Sequence, residues 1–354
     1  MFSESAQQPT ISAQLDQSAI CAAELLGSFG MAASRSATAA ALRAANTLTG
    51  RSAAFCSIGQ LNNLLSGDQG IVLLDVSWHL DSLRDARAEF CTRRIPGAQF
   101  FDINEVADVK LATTKQLPHM FPPMSVQKAA AKKYLLSPKK PVVVYETGSL
   151  FSSPRAWWTL QHMGYSVSIL DGGLSAWAAQ SLPVDTSSVV TEAIPVTVQS
   201  SACSLPSGIL SFKEMQAISQ KLGRKDGNAK AAESGPNYIL DARAPGRFGG
   251  SVPEPRPNMP SGHMPGSVNV PFAQLVDTET GKLHDCERLR SIFSECGVKV
   301  DPALSYATTC GSGVTAAVIL LALHECSVPW GNLKLYDGSW VEWTTNGGDV
   351  VQQK

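Results

Sequence analysis

Six consecutive residues, Cys310-Gly311-Ser312-Gly313-Val314-Thr315, hold a nucleophile and the means to activate it. The strand-like stretch Ser305 to Thr309 leads in, and the apolar run Ala316 to Leu323 leads out as a buried helix. A thiol attacks as its thiolate, and a helix N-terminus stabilises an anion by only roughly 0.3–1 kcal/mol. The larger share must come from the N–H groups of Gly311, Ser312, Gly313, Val314 and Thr315, converging on the sulfur as a backbone nest. Gly311 and Gly313 suit a loop that needs positive φ or a close backbone approach. An inert buried cysteine would fit the same turn, so the chemistry depends on what else the chain brings there.

Arginines are the candidates for that second part. Arg243, Arg247 and Arg256 lie in a Pro- and Gly-rich stretch that follows the strand-like Tyr238 to Asp241. A guanidinium stays charged and grips a carboxylate through two parallel hydrogen bonds. Two of them would fix a small carboxylate in register; the competing reading is surface arginines paired with Asp241 or Glu254. His263 precedes a tight Met-Pro-Gly turn, which points to a loop-tying role.

The elements that position these residues are written twice. The first copy runs through Ile71 to Asp75, Arg94-Ile-Pro-Gly97, Pro141 to Glu146 and Asp171-Gly-Gly-Leu-Ser-Ala-Trp177. The second runs through Tyr238 to Asp241, His263-Met-Pro-Gly266, Ser305 to Cys310 and Asp337-Gly-Ser-Trp-Val-Glu-Trp343. Asp75 and Asp241 are 166 residues apart, and so are Asp171 and Asp337. Matched landmarks in one order imply duplication. Helical patterns over Pro154 to Met163 and Thr315 to His324 follow the strands, so each copy is an α/β unit, a parallel sheet covered by helices on both faces. Its chemistry belongs at the carboxyl ends of the strands, where Cys310 falls. The first copy has Glu146 there and no thiol. The expected division is a leader over 1–56, a first domain over 57–185, a linker over 186–207 rich in Ser, Thr and Val, and a catalytic domain over 208–354.

With 354 residues, 44% of them hydrophobic, the chain can build two cores. A net charge of −1 gives no electrostatic footprint for nucleic acid or an anionic membrane. The longest apolar run, Val314 to Leu323, is too short to span a bilayer. Eight scattered cysteines, with no Cys-x-x-Cys among them, read as reduced thiols and suggest no structural metal. Met31 to Phe55 carries Arg35, Arg43 and Arg51 and no acidic residue. That composition suits a mitochondrial transit segment, the alternative being a cytoplasmic protein with an unaddressed tail.

Together, the Cys310 loop, Gly246-Arg247-Phe248, Pro253-Glu-Pro-Arg256 and Asp337 to Trp343 resemble the tandem-rhodanese sulfurtransferases, in particular the branch that uses 3-mercaptopyruvate. The first half agrees in Asp85 to Phe90, Ile95 to Ala98, Phe100 to Asp102, Leu117 to Met120, Ser153 to Trp158 and Leu170 to Leu174. The likeness extends from about Ser57 to Trp343. It implies two tandem rhodanese-like domains and a ping-pong sulfur transfer through a Cys310 persulfide, without a cofactor or metal. It also implies a small-molecule sulfur donor, an acceptor such as thioredoxin, another thiol or cyanide, and a monomer or weak homodimer. Arg247 and Arg256 match the arginines that hold the substrate carboxylate and carbonyl, and Gly311, Gly313, Val314 and Thr315 match the loop around the sulfur. Ser312 and Asp85 match two members of a Ser-His-Asp proton relay. At the histidine position stands Arg94, which cannot shuttle protons near neutral pH; we expect it to pair with Asp85 and lend positive field to the cleft.

Of three other readings, two stay open and the phosphatase is ruled out by a missing arginine. Thiosulfate:cyanide sulfurtransferases typically carry basic residues directly after the cysteine, whereas Gly311 and Ser312 are neutral. A phosphatase of this fold needs an arginine six positions after the cysteine, and Ala316 stands there. The non-enzymatic reading is a persulfide carrier or thiol sensor.

Overall fold

The computed structural model describes residues 54–67, 70–189, 191, 193, 206–224 and 235–353. Nearly all of the expected leader, and with it the transit segment, lies outside these residues, as does most of the linker. The first half runs β1 (Phe55–Cys56), α1 (Ile58–Ser66), β2 (Val72–Asp75), α2 (Ala86–Thr92), β3 (Gln99–Phe100) and α3 (Val109–Lys115). It continues with α4 (Met124–Lys133), β4 (Val142–Tyr145), α5 (Ser153–His162), β5 (Val167–Leu170) and α6 (Gly173–Ala179). The second half runs β6 (Ile209–Leu210), α7 (Phe212–Leu222), β7 (Tyr238–Asp241), α8 (Pro245–Gly249), β8 (Ser267–Asn269), α9 (Cys286–Glu295), β9 (Tyr306–Thr309), α10 (Ala316–Glu325), β10 (Leu333–Tyr336) and α11 (Ser339–Thr345).

Each half is one parallel sheet of five strands, ordered β1-β5-β4-β2-β3 in the first and β6-β10-β9-β7-β8 in the second. The order is the same one used twice. Central strands such as β2 and β4 are buried at every position, as parallel strands covered on both faces must be. Register repeats too, with Asp75 beside Tyr145 in one sheet and Asp241 beside Thr309 in the other. Even the local caps recur: Ser57 with Gln60 at α1 and Ser211 with Glu214 at α7 both form capping boxes. Glu146 and Cys310 therefore leave their sheets at equivalent points.

Two boundaries differ from the sequence reading. The first sheet includes Phe55 and Cys56, assigned above to the leader: they pair with Ile169 and Leu170 and are buried. A two-residue strand has no periodicity to read. At the other end, the chain beyond Asp185 stays on the first half, because Arg94 forms an antiparallel bridge with Asp185 and Arg87 reaches the Thr191 hydroxyl at 3.0 Å.

One apolar core crosses between the halves. Helices α5 and α10 pack against each other at the centre, which is why Ala316 to Leu323 is buried on every side. Trp157 stands edge-on to Trp330 at 5.1 Å, and His162 and His324 flank the same ring.

Candidate active site

Cys310 sits at the end of β9, 2% exposed. The Gly313 N–H lies 3.2 Å from its sulfur, and Ser312, Val314 and Thr315 complete the turn into α10. Gly313 adopts φ +84°, and a Cβ there would stand 2.8 Å from the Asp337 carbonyl oxygen and 3.0 Å from Arg155 Nη1, so glycine is required on both counts. The loop is clamped from behind by the start of α11. Trp340 N–H donates to the Cys310 carbonyl at 3.0 Å, Val341 N–H donates to that of Gly311 at 3.1 Å, and the Cys310 N–H donates to Ser339 Oγ at 3.2 Å.

Arg247 and Arg256 converge on the residue next to the sulfur. A side chain at Gly311 would begin 3.1 Å from Arg247 Nη2 and 3.8 Å from Arg256 Nη1. Burial pushes the Arg256 guanidinium down from its ordinary value and Arg247 adds to this, while the Cys310 sulfur acts in the opposite sense. Glu254, itself nearly buried, receives Arg247 through Nε at 3.2 Å and through Nη2, fixing the arm that carries it. Arg243 differs from the surface arginine considered above. It is 2% exposed, bonded to Asp241 at 2.6 Å, Glu254 at 2.8 Å and the Gly262 carbonyl, and seated on the Trp340 ring. It is a strut under the loop that carries Arg247 and Arg256. His263 ties that loop as expected, with Nδ1 2.9 Å from the Phe248 carbonyl and its ring stacked on Phe248.

The expected pair of Arg94 with Asp85 does not form. Arg94 Nη2 donates to Asp185 Oδ2 at 2.7 Å and to Ser187 Oγ at 3.0 Å, and its guanidinium lies over the Phe90 ring. Asp85 is exposed and caps α2, accepting from the Arg87 and Ala88 amides. The reason is local: Asp85 precedes a helix whose free amides it satisfies, and Arg94 follows that helix where the returning chain passes. Ser312 lies in the loop, 7% exposed.

Residues that the motif reading did not single out join the site from the first half. Arg155 Nη1 lies 3.4 Å from the Gly313 carbonyl and 2.5 Å from Asp337 Oδ1, and Nη2 donates to the His119 carbonyl. Phe121 N–H donates to the other Asp337 oxygen. His119 is buried edge-on to Trp78; burial, then the charges of Arg155 and Arg256, lower its imidazole to about 3, so it is neutral. The sequence had marked His119 and Arg155 only as members of the matching stretches Leu117 to Met120 and Ser153 to Trp158, and Asp337 by its offset of 166 from Asp171, with no role given to any of them. Nothing in it indicated which residue reaches across.

The chain matches the rhodanese-like domain family twice, over residues 57–180 and 225–346. It is 37% identical over 279 residues to the 3-mercaptopyruvate sulfurtransferase of Homo sapiens, covering 78% of this chain and 85% of that protein. It is 38% identical over 263 residues to the Escherichia coli (strain K12) protein of the same name, covering 73% and 83%. Tum1 protein from Saccharomyces cerevisiae superposes with a TM-score of 0.71 at 30% identity, covering 85% of this chain and 98% of that one. The chain belongs to the rhodanese family and carries two rhodanese-like domains.

Proposed function

We propose that this chain is a 3-mercaptopyruvate sulfurtransferase whose nucleophile is Cys310. The observation that carries the reading is the convergence of Arg247 and Arg256 over Gly311, beside a sulfur that already receives the Gly313 N–H. The arginines grip the carboxylate and carbonyl of the donor, which presents its sulfur to the Cys310 thiolate. A sulfur–sulfur bond forms as the carbon–sulfur bond breaks; the electron pair passes to carbon, giving the enolate of pyruvate, which the same arginines stabilise and which then takes up a proton. Cys310 is left as a persulfide. An acceptor thiolate, such as that of thioredoxin or another thiol, or cyanide, takes the outer sulfur and returns Cys310 to its thiolate.

With Arg94 bonded to Asp185, and Asp85 capping α2, the enolate takes its proton from water or through Ser312. The neutral Gly311 and Ser312 favour a carboxylate donor over thiosulfate. We place the catalytic domain over 208–354 and a mitochondrial address in the arginine-bearing leader. Among the described residues no helix is long and apolar enough to cross a membrane.

The test is steady-state pyruvate release from 3-mercaptopyruvate, set against thiocyanate formation from thiosulfate and cyanide, with Cys310→Ser as control. Preference for mercaptopyruvate, lost in the control, is expected. Equal or better use of thiosulfate would reassign the donor, and stoichiometric persulfide without turnover would make the protein a carrier.

A further inference from the structure

We infer that Arg155, contributed by the half without the thiol, is a positioning residue for the sulfur-bearing loop of the other half. The inference rests on the reading of Cys310 as the nucleophile. Arg155 is the third residue of α5, and its side chain is 3% exposed. Its guanidinium meets the loop and the turn that backs it. One nitrogen lies 3.4 Å from the Gly313 carbonyl, the residue whose N–H faces the sulfur at 3.2 Å. The same nitrogen is 2.5 Å from Asp337, which opens the turn into α11, and the first amides of α11 hold the Cys310 and Gly311 carbonyls. The second terminal nitrogen donates to the His119 carbonyl, and the group rests over the Trp158 ring at 4.9 Å.

A trans peptide is planar, with its carbonyl and N–H opposed. Holding the Gly313 carbonyl therefore fixes the direction of the Val314 N–H, and holding Asp337 fixes the turn that clamps the loop from behind. Arg155 thereby sets the direction of the Val314 amide and, through Asp337, the turn that holds the loop. Its own position is set by Glu146, which caps the start of α5 by accepting from the Phe151, Ser152 and Ser153 amides at 2.9, 2.9 and 3.1 Å. The equivalent contact in the other direction is weaker: Asp171, twin of Asp337, meets Lys282 at 3.2 Å, and that lysine is 34% exposed. The loop there has no thiol to aim.

The experiment compares full-length wild type, Arg155→Lys and the double variant Arg155→Met with Asp337→Asn, which avoids stranding a buried carboxylate. Three quantities are read: the rate of Cys310 alkylation by iodoacetamide at neutral pH, kcat and KM for 3-mercaptopyruvate, and the melting temperature. In the double variant, alkylation and kcat fall about tenfold, less than the loss on deleting a donor outright. KM stays within about twofold, because Arg247 and Arg256 still hold the carboxylate. Arg155→Lys keeps one charged contact of three and recovers about half of the loss on a logarithmic scale. A folded double variant with wild-type alkylation and kcat overturns the inference. If the double variant does not fold, Arg155→Lys decides, and unchanged alkylation and kcat in it overturn the inference as well. The alkylation reading needs no sulfur donor, so a wild type that turns over neither donor, with alkylation still slowed in the variants, removes the sulfurtransferase reading and keeps Arg155 as the residue that aims the loop.

Discussion

The loops that follow β4 and β9 are the same piece of structure carrying two different side chains, a carboxylate and a thiol. Leu174 N–H donates to the Glu146 carbonyl at 3.0 Å, and Trp340 N–H, 166 residues on, donates to the Cys310 carbonyl at 3.0 Å. Around the first loop three amides and the Ser152 hydroxyl converge on the Glu146 carboxylate, which is 6% exposed. Around the second, the Gly313 amide faces a sulfur. At the turn into the following helix Gly173 stands at φ +57° where a Cβ would overlap the Glu146 carbonyl, while its counterpart Ser339 adopts φ +50° and bonds the Cys310 amide through its hydroxyl. A strand end that opens into a helix N-terminus binds anions by construction. The first copy fills it with a built-in carboxylate, and the second leaves it to a thiol whose loop Arg155 meets from the other half.

The sharpest break in this comparison is to remove each of these side chains. Cys310→Ser should cut pyruvate release by about a thousandfold or more, as loss of a nucleophile does. Glu146→Gln should leave the thiol chemistry standing, with kcat reduced by less than about tenfold. Next in size is the substrate clamp: Arg256→Ala should raise KM for mercaptopyruvate about 10- to 100-fold, one charge-assisted bond contributing roughly 1.5–3 kcal/mol, and unchanged KM would place the carboxylate elsewhere. In thermal melts Glu146→Gln should cost about 1–3 kcal/mol, because the amide NH₂ faces donors it cannot satisfy. A Glu146→Gln protein melting like wild type would mean that the first loop is not held by its carboxylate.

Arg94→His should change kcat/KM by less than about twofold and lower stability by about 1 kcal/mol, because Arg94 is bonded to Asp185 and Ser187. A large gain in turnover would instead show that a histidine there reaches the substrate. The smallest expected effect concerns the twin carboxylates Asp75 and Asp241. Burial raises Asp75 to about 6, with Ser77 hydrogen bonds opposing. The folded chain thus keeps this proton to higher pH than the unfolded one, so its contribution to stability is full below pH about 4 and is lost as pH rises through about 6. Asp75→Asn should gain on wild type in urea melts between pH 4 and 7, whereas Asp241→Asn should lose stability by weakening the partner of buried Arg243. The same sign for both would remove the distinction.

Much of this was legible in the residues. Buried apolar runs marked β2, β4 and β7 within one residue, and the apolar octet after Thr315 marked α10, because burial on both faces of a parallel sheet leaves no alternation to blur the signal. The turn at Cys310 was legible because a thiol, two glycines and a helix start lie adjacent in sequence. Arg247 and Arg256, which meet beside Gly311, were picked out through a motif and not through spacing, since eight residues of loop separate them. The two-residue β1 left no pattern.

The pairing of Arg94 was misread because its partner lies 91 residues away on a returning segment with no hydrophobic signature. The chain by itself therefore determined the duplicated fold, the glycine turn that holds Cys310 and the arginine-bearing loop, all of which depend on local composition and on short-range backbone geometry. The tertiary structure decided which half braces the other. Arg155 meets Gly313 and Asp337 across 158 and 182 residues, and such contacts follow from how α5 and α10 pack, which no local pattern encodes.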